Sequence, residues 1–315
     1  MKLVIVSPCY NEEYLIADSS AKLNNVIESM ISRNKISNDS FVLFVNDGSS
    51  DETWREIVKS HSAFPHVCGL DLARNVGHQY AILAGMMKVR NVADAVITID
   101  SDLQDDLNVI EQMIDRFKEG NDIVYGVKTD RGIDPWRKRI MASLFYKVQG
   151  WLGVKSVKNH ADFRLLSRKA LDTLSAFPER NMYLRGIIPL LGLKSAMLDD
   201  VLSPRACGRS KYTSSKQIQL AIDGITSFTT KPLELIFLFG VIMMIISLSM
   251  FVYVVISLAM GHVIAGWASL MLSVWFIGAV LTIGVGLIGI YIGKIYMEVK
   301  QRPLFTERDS IGLLE

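Results

Sequence analysis

The sequence predicts an α/β fold, a doubly wound sheet with its ligand site at the strand ends, followed by a hairpin of two membrane-crossing helices. Short Val- and Ile-rich runs alternate with stretches of helical length, acids and turn formers collect where those runs end, and two long uncharged segments lie near the C-terminus. The chain has 315 residues, 34 Lys and Arg against 32 Asp and Glu, and 50% hydrophobic residues. That composition excludes a disordered chain and a polybasic nucleic-acid binder, so no nucleic acid is expected as a partner. The mean hydropathy of +0.27 is high for a soluble chain, and the excess sits at the C-terminal end.

Leu3 to Ser7, Phe41 to Asn46, Val67 to Asp71, Ala95 to Asp100 and Asp122 to Val127 each read as a buried parallel strand. Glu13 to Ser32, Glu52 to Ser60, Gln79 to Val89 and Leu107 to Lys118 have the length and amphipathic spacing of connecting helices. Leu235 to Met260 carries no charge over 26 residues, which as helix span ~39 Å against a hydrocarbon core of ~30 Å. Val263 to Gly293 is also uncharged, and neither run keeps the polar stripe of a buried core helix. Lys231 precedes the first run, Lys294, Lys300, Arg302 and Arg308 follow the second, and only Gly261 and His262 lie between, so both outer ends are expected in the cytoplasm.

The expected organisation is a cytoplasmic domain over 1–212, a juxtamembrane amphipathic helix over 213–232, two spans within 233–293 (about 235–260 and 263–293) and a cytoplasmic tail over 294–315. Ser214 to Thr230 and Trp136 to Trp151 both mix apolar residues at helical spacing with polar or basic ones; a membrane interface and packing on the sheet remain open for each. Met1 to Ser7 is too short an apolar run for a secretory signal. Cys9, Cys68 and Cys207 are odd in number and far apart, which fits a reduced compartment rather than a disulfide framework or zinc site.

Sheets of this kind bind ligands beyond the carboxyl ends of their strands. Gly-x-Gly-x-x-Gly does not follow the first strand and no Walker loop occurs, which argues against dinucleotide dehydrogenases and P-loop NTPases. The first strand ends in Pro8-Cys9-Tyr10-Asn11-Glu12-Glu13 and the second in Asn46-Asp47-Gly48-Ser49-Ser50-Asp51, where Asp47-Gly48 is a turn signal and Ser50 or Asp51 suits a helix cap. The fourth ends in Asp100-Ser101-Asp102-Leu103-Gln104-Asp105-Asp106. Read as extended chain, Asp100 and Asp102 share a face with Gln104 next in line, and crowded carboxylates call for a cation such as Mg²⁺ or Mn²⁺. Asp105 and Asp106 read instead as acids that suit the N-terminus of the following helix. Asp162-Phe163-Arg164 repeats the i, i+2 spacing, presenting an acid and a guanidinium together, as an ion pair or as ligand contacts. Arg205, Arg209 and Lys211 surround Gly208 just before the membrane-proximal segment, a basic loop suited to a phosphate.

Taken in order, Pro8-x-Tyr10-Asn11-Glu12-Glu13, Asn46-Asp47-Gly48-Ser49-x-Asp51, Arg74-Asn75-x-Gly77 and Asp100-x-Asp102-Leu103-Gln104 resemble the family 2 glycosyltransferases, which have the GT-A fold. Asp162-Phe163-Arg164-Leu165, Pro178-Glu179-Arg180-Asn181, Arg205-x-x-Gly208-x-Ser210-Lys211-Tyr212 and the apolar hairpin ending Tyr291-Ile292-Gly293 are similar to the polyprenyl-phosphate branch. Within it the bactoprenol glucosyltransferases of O-antigen modification cassettes are the nearer group, and dolichol-phosphate mannose synthases the more distant.

The resemblance implies that Pro8, Tyr10, Glu12, Asp47 and Arg74 bind the nucleotide-sugar donor, that Asp100, Asp102 and Gln104 hold the metal, and that Asp100, Asp102, Asp162 and Arg164 form the catalytic set. Arg205, Ser210 and Lys211 would take the acceptor phosphate. It further implies an inverting enzyme of the bacterial inner membrane using UDP-glucose and undecaprenyl phosphate, a homo-oligomer (a tetramer), and a flippase and a second glycosyltransferase acting in the same pathway. Other sugars, among them galactose, mannose and aminoarabinose derivatives, stay open. His78 stands where many relatives have Lys, Asp106 where Pro often follows, and Ile290 where Glu is common. A processive polysaccharide synthase is disfavoured because Gln-x-x-Arg-Trp is missing and two spans make no evident pore, and a silent nucleotide-binding scaffold because Asp100 and Asp102 are intact.

Overall fold

A computed structural model of the chain describes residues 1–128, 160–180, 183–200, 229–260 and 266–313. Eight strands form one sheet in the order β7-β5-β6-β4-β1-β2-β3-β8. These are β1 (Leu3–Cys9), β2 (Phe41–Asn46), β3 (Val67–Leu72), β4 (Ala95–Thr98), β5 (Ile123–Lys128), β6 (His160–Ser167), β7 (Ser195–Asp200) and β8 (Glu307–Ile311). The first four are mutually parallel, with β1 at their centre between β2 and β4. Their residues are buried on both faces, as near-continuous runs of Val, Ile and Leu require.

The fifth strand departs from the expected pairing. β6 inserts antiparallel between β4 and β5, so β5 hydrogen-bonds to β6 on one side and runs parallel to β7 on the other. The apolar alternation of β5 is the same in either arrangement, which is why the sequence reads it simply as one more parallel strand. The insertion matters for the site, because an antiparallel strand brings its N-terminal end to the edge where β1 to β4 present their carboxyl ends. Its register sets Thr98 opposite Arg164, and that places Asp162 beyond the end of β4.

Helices α1 (Glu13–Ser32), α2 (Thr53–Ala63), α3 (His78–Val89) and α4 (Asn108–Lys118) follow the first four strands, within a residue or a few of their expected bounds. Ile16, Leu23, Ile27 and Met30 form the buried stripe of α1, on the sheet face lined by Leu3, Ile5 and Phe44. On the other face α3 packs over Val4, Val6 and Val45 together with α5 (Arg168–Ser175) and α6 (Leu184–Leu190). The close approach of α3 depends on Gly85, where a Cβ would stand 2.5 Å from Val6 Cγ1.

The apolar runs form α7 (Lys231–Ala259) and α8 (Trp267–Lys300). The first helix thus begins before Leu235, and the second runs past Gly293 through Lys300. They meet where Gly284 faces Ile236, and the Tyr291 hydroxyl donates to the Thr229 carbonyl at 2.7 Å. Among the described residues, Phe276–Lys300 is long and apolar enough to cross a membrane. Large apolar side chains on both helices stay exposed, Phe237, Met244, Leu281 and Val285 among them. In water each such exposure forgoes ~1.5–3 kcal/mol of burial, so this surface suits an apolar solvent. Beyond α8 the chain returns to the sheet as β8, antiparallel to β3. The segments 136–151 and 214–228, with Arg205, Cys207, Ser210, Lys211, Gly261 and His262, lie outside the described residues.

Candidate active site

The carboxyl ends of β1 and β2 are stitched together by side chains. Asn11, at φ +52°, accepts from the Ser50 amide at 2.9 Å, while its own amide donates to Ser49 Oγ at 3.0 Å. The Glu12 amide donates to Thr53 Oγ1 at 2.9 Å, the Glu13 amide to Asp51 at 3.3 Å, and the Glu52 amide back to Glu13 at 3.0 Å. Asp51 also accepts from the Thr53 amide at the start of α2, as a capping acid should. Ser101 Oγ donates to the Glu12 carboxylate, tying the β4 turn to the same edge.

Asp47 is buried and both of its oxygens are occupied. They accept from the amides of Val76 at 2.7 Å and Gly77 at 3.0 Å, so this carboxylate fixes the loop that carries Arg74 and opens α3. Burial pushes its pKa up, against the pull of those two amides and of the nearby His78 and Arg74. Gly48 has φ +59°, and a Cβ there would fall 2.4 Å from the Arg74 carbonyl carbon and 2.5 Å from the Asn75 nitrogen. Both the backbone conformation and the contact therefore demand glycine. Around this loop Tyr10 and Arg74 are exposed, Glu12 is half-buried, and Pro8 is buried within β1.

The acidic segment after β4 differs from the expected extended chain. The strand stops at Thr98, and Asp100 to Leu103 form a turn in which the Leu103 amide donates to the Asp100 carbonyl at 3.1 Å. Leu103 has φ +46°, between Asp102 and Gln104, all three of these side chains being half-buried. Asp100 Oδ1 is buried and takes no hydrogen bond. Burial raises the Asp100 pKa, with Asp162 and Asp102 adding to the rise and His78 opposing it.

Two carboxylates and an amide oxygen on one turn are hard donors that leave room for water and phosphate oxygens, the set that Mg²⁺ and Mn²⁺ favour. Among the described residues no group of three or more His, Cys, Asp or Glu side chains is placed to hold a metal. Asp106 caps α4 by accepting from the Asn108 amide at 3.0 Å, but Asp105 does not decorate a helix end as expected. It is buried, with Lys128 Nζ at 3.6 Å, and burial pushes its pKa up to about 8, with Asp100 and Asp200 contributing against Lys128.

Asp162 and Arg164 do share a face of β6, and they touch at 2.5 Å. Asp162 also accepts from Arg185 through Nε at 3.2 Å and Nη2 at 2.8 Å, and its Oδ2 lies 3.4 Å from His78 Nε2. The same His78 nitrogen is 3.4 Å from Asp100 Oδ1, so the imidazole bridges the β4 turn and the β6 acid. Burial alone would raise the Asp162 pKa, yet Arg185, His78 and Arg164 hold it well below the usual carboxylate range. Burial lowers the His78 pKa, but its bond to Asp162 and the charges of Asp100 and Asp162 leave it raised overall. Arg164 is fully buried, with Nε and Nη1 unpartnered, beside Tyr125, whose hydroxyl burial pushes up to about 12.

Sequence reasoning missed Arg185 and set His78 aside as a departure from the expected Lys. Both were within reach of the motifs: His78 directly follows Arg74-Asn75-x-Gly77, and Arg185 comes shortly after Pro178-Glu179-Arg180-Asn181.

Residues 4–175 match the profile of glycosyl transferase family 2. The chain belongs to that family. The GT-A, Rossmann-like α/β arrangement is accordingly its fold. Along nearly its whole length this glycosyltransferase is similar to the glycosyltransferase YkoT of Bacillus subtilis (strain 168), with 44% identity over 304 residues, 96% of this chain and 90% of that one. It is also 35% identical over 312 residues to the SfII prophage-derived bactoprenol glucosyl transferase of Shigella flexneri, covering 98% of both chains. Among solved structures it is similar to mannosyltransferase PcManGT from Pyrobaculum calidifontis in complex with GDP-Man and Mn²⁺, at 18% identity and a TM-score of 0.49, covering 71% of this chain and 62% of that one.

Proposed function

We propose that this glycosyltransferase transfers a sugar, glucose from UDP-glucose, to undecaprenyl phosphate at the cytoplasmic face of the bacterial inner membrane. The observation that carries the reading is the meeting, at one sheet edge, of a hard-donor acidic turn with a cationic cluster anchored on a carboxylate that stays ionised. The first suits a nucleotide diphosphate with its cation and the second an acceptor phosphate. The name of the Shigella relative supports a bactoprenol acceptor and glucose as the sugar. The exposed apolar surfaces of α7 and α8 support a membrane hairpin, and the basic residues that flank it, Lys231, Lys294, Lys300, Arg302 and Arg308, support termini in the cytoplasm.

In the reaction the bond from the anomeric carbon to the donor diphosphate breaks, and the diphosphate leaves with the electron pair. A lipid phosphate oxygen forms the new bond to that carbon, with inversion as implied by the family. Asp100, Asp102 and Gln104 would hold Mg²⁺ or Mn²⁺, which when bound neutralises charge on the leaving diphosphate as a Lewis acid. Tyr10, Glu12 and Arg74 line the donor side, and Asp47 acts through the loop it orders. A phosphate monoester has its second pKa near ~6, so the acceptor arrives mostly dianionic and needs no general base. Asp162, held ionised by its cations, is unsuited to abstracting a proton; it orients Arg185 and His78 toward the acceptor. Arg205, Ser210 and Lys211 complete the grip on the lipid phosphate in this reading.

Purified full-length protein incubated with undecaprenyl phosphate and a panel of nucleotide sugars tests the reading. Glucose transfer from UDP-glucose with release of UDP is expected, and absence of transfer from every donor would sink it. Reporters fused at Gly261 and Glu315 should fall on opposite sides of the membrane.

A further inference from the structure

The end of the apolar helix α8 and the segment that follows it are fastened to the two flanks of the site. Glu298, in its last turn, accepts the Arg180 amide with both carboxylate oxygens, at 2.9 and 2.7 Å. The Arg180 carbonyl accepts the Tyr80 hydroxyl at 2.8 Å, and Tyr80 stands in the first turn of α3, which begins with His78. Next to it, Gln79 Oε1 accepts the Leu184 amide at 2.9 Å, at the start of the helix that carries Arg185. On the other flank the Ala73 amide donates to the Thr306 carbonyl at 2.9 Å, just before the Arg74 loop. Two hydrogen bonds joined through the Arg180 backbone thus lead from a carboxylate on α8 to the turn holding His78. A second contact joins that turn to Arg185, and His78 and Arg185 are the groups that meet on Asp162.

We propose that Glu298 is a positioning residue for the acceptor half of the site: by fixing the Arg180 amide it sets, through Tyr80 and Gln79, where His78 and Arg185 stand against Asp162. The membrane-directed helix and the phosphate-facing cations are then aligned by one side chain, so that a lipid acceptor entering beside α8 meets them in register. This rests on the sugar-transfer reading above. A displacement of about 1 Å at reacting groups costs up to roughly a hundredfold in rate, which sets the scale of the effect.

The test uses full-length protein in lipid nanodiscs. In Glu298→Ala, transfer at limiting undecaprenyl phosphate should fall roughly ten- to a hundredfold, with UDP affinity within about twofold of the parent. Glu298→Gln, whose amide oxygen can still accept the Arg180 N–H, should recover most of the loss. Tyr80→Phe cuts the next link and should give the same split, and the double variant should be no worse than the poorer single one, as coupled residues require. Hydrogen exchange supplies a readout independent of turnover: the peptide containing Leu184–Leu190 should exchange faster in Glu298→Ala. Unchanged exchange there, an equal fall in UDP affinity, a Gln variant as poor as Ala, or additive losses would each overturn the proposal. Should the parent protein transfer no sugar, the functional reading fails while the exchange experiment still decides the clasp.

Discussion

The two halves of the site are built on opposite plans. The half assigned to the donor is a set of short loops whose backbone amides donate to single side-chain hydroxyl, amide and carboxylate oxygens, leaving Asp102 and Gln104 half-buried and Arg74 exposed at the rim. In the half assigned to the acceptor, ion pairs hold the structure together: Asp162 and Arg164 are sunk in the sheet, with Arg185 and His78 packed on the carboxylate. Ligand-binding groups that do not hold up the fold can be exchanged at little structural cost. A buried ion pair cannot, because removing one partner strands the other charge away from water.

Asp102→Asn gives the largest expected effect and separates the halves most sharply. It removes a ligand charge without changing size, and a metal's share of transition-state stabilisation is several kcal/mol. Transfer should therefore fall about a thousandfold, with the melting temperature unchanged. A normal rate in Mg²⁺ or Mn²⁺ would break the donor-half assignment. Asp162→Asn should do what Asp102→Asn does not and lower stability, by ~3–5 kcal/mol, because Arg164 is left buried and unpaired. Since the folded-state pKa of Asp162 lies below its ordinary value, the folded protein binds fewer protons at this group than the unfolded chain does. Its stabilisation is therefore complete above the ordinary carboxylate pKa and fades as pH falls through the lower folded value. The melting gap between parent and variant should widen as pH falls through the neutral range, where His78 takes up its proton beside Asp162, and narrow only well into the acid range. A gap that narrows near neutrality would show that another group supplies the effect.

The same contrast decides what could be read without coordinates. The donor loops are contiguous motifs at the ends of alternating strands, and a run such as Asn46-Asp47-Gly48-Ser49 carries its turn chemistry in its own residue types. Local periodicity likewise places α1 to α4. The acceptor half is assembled by β6 entering antiparallel beside β4, a pairing that no local signal announces, and by Arg185 arriving from a separate helix. β7 and β8 escaped for a related reason: Ser195–Asp200 and Glu307–Ile311 are short edge strands rich in polar residues, with no apolar run longer than Ala196-Met197-Leu198. Even within the donor half, sequence spacing misjudged the conformation at Asp100, since the turn at Leu103 depends on a positive φ in a residue that seldom adopts one.

Two smaller substitutions sharpen the account of the donor half. Gly48→Ala forces a side chain into the left-handed region, at ~1–2 kcal/mol, and into the Arg74–Asn75 backbone as well. It should lower both UDP affinity and melting temperature, the one donor-loop change expected to do both. An unchanged affinity would detach the Arg74 loop from nucleotide binding.

Ser101→Ala is the mildest test and bears on the stitching itself. Its hydroxyl donates to the Glu12 carboxylate, and its carbonyl accepts from Ser19 Oγ at 2.6 Å, so one residue links the β1 loop, α1 and the acidic turn after β4. The substitution removes only the first link. A single such bond is worth about 1 kcal/mol net, and Glu12 is half-buried, so water can take the place of the lost donor. UDP affinity measured by titration calorimetry should weaken roughly fivefold, with the melting temperature almost unchanged. A loss as large as that of Asp102→Asn would mean that Glu12 and the acidic turn act as one charged unit rather than as loops joined by separate hydrogen bonds, and the distinction between the two halves would fall with it.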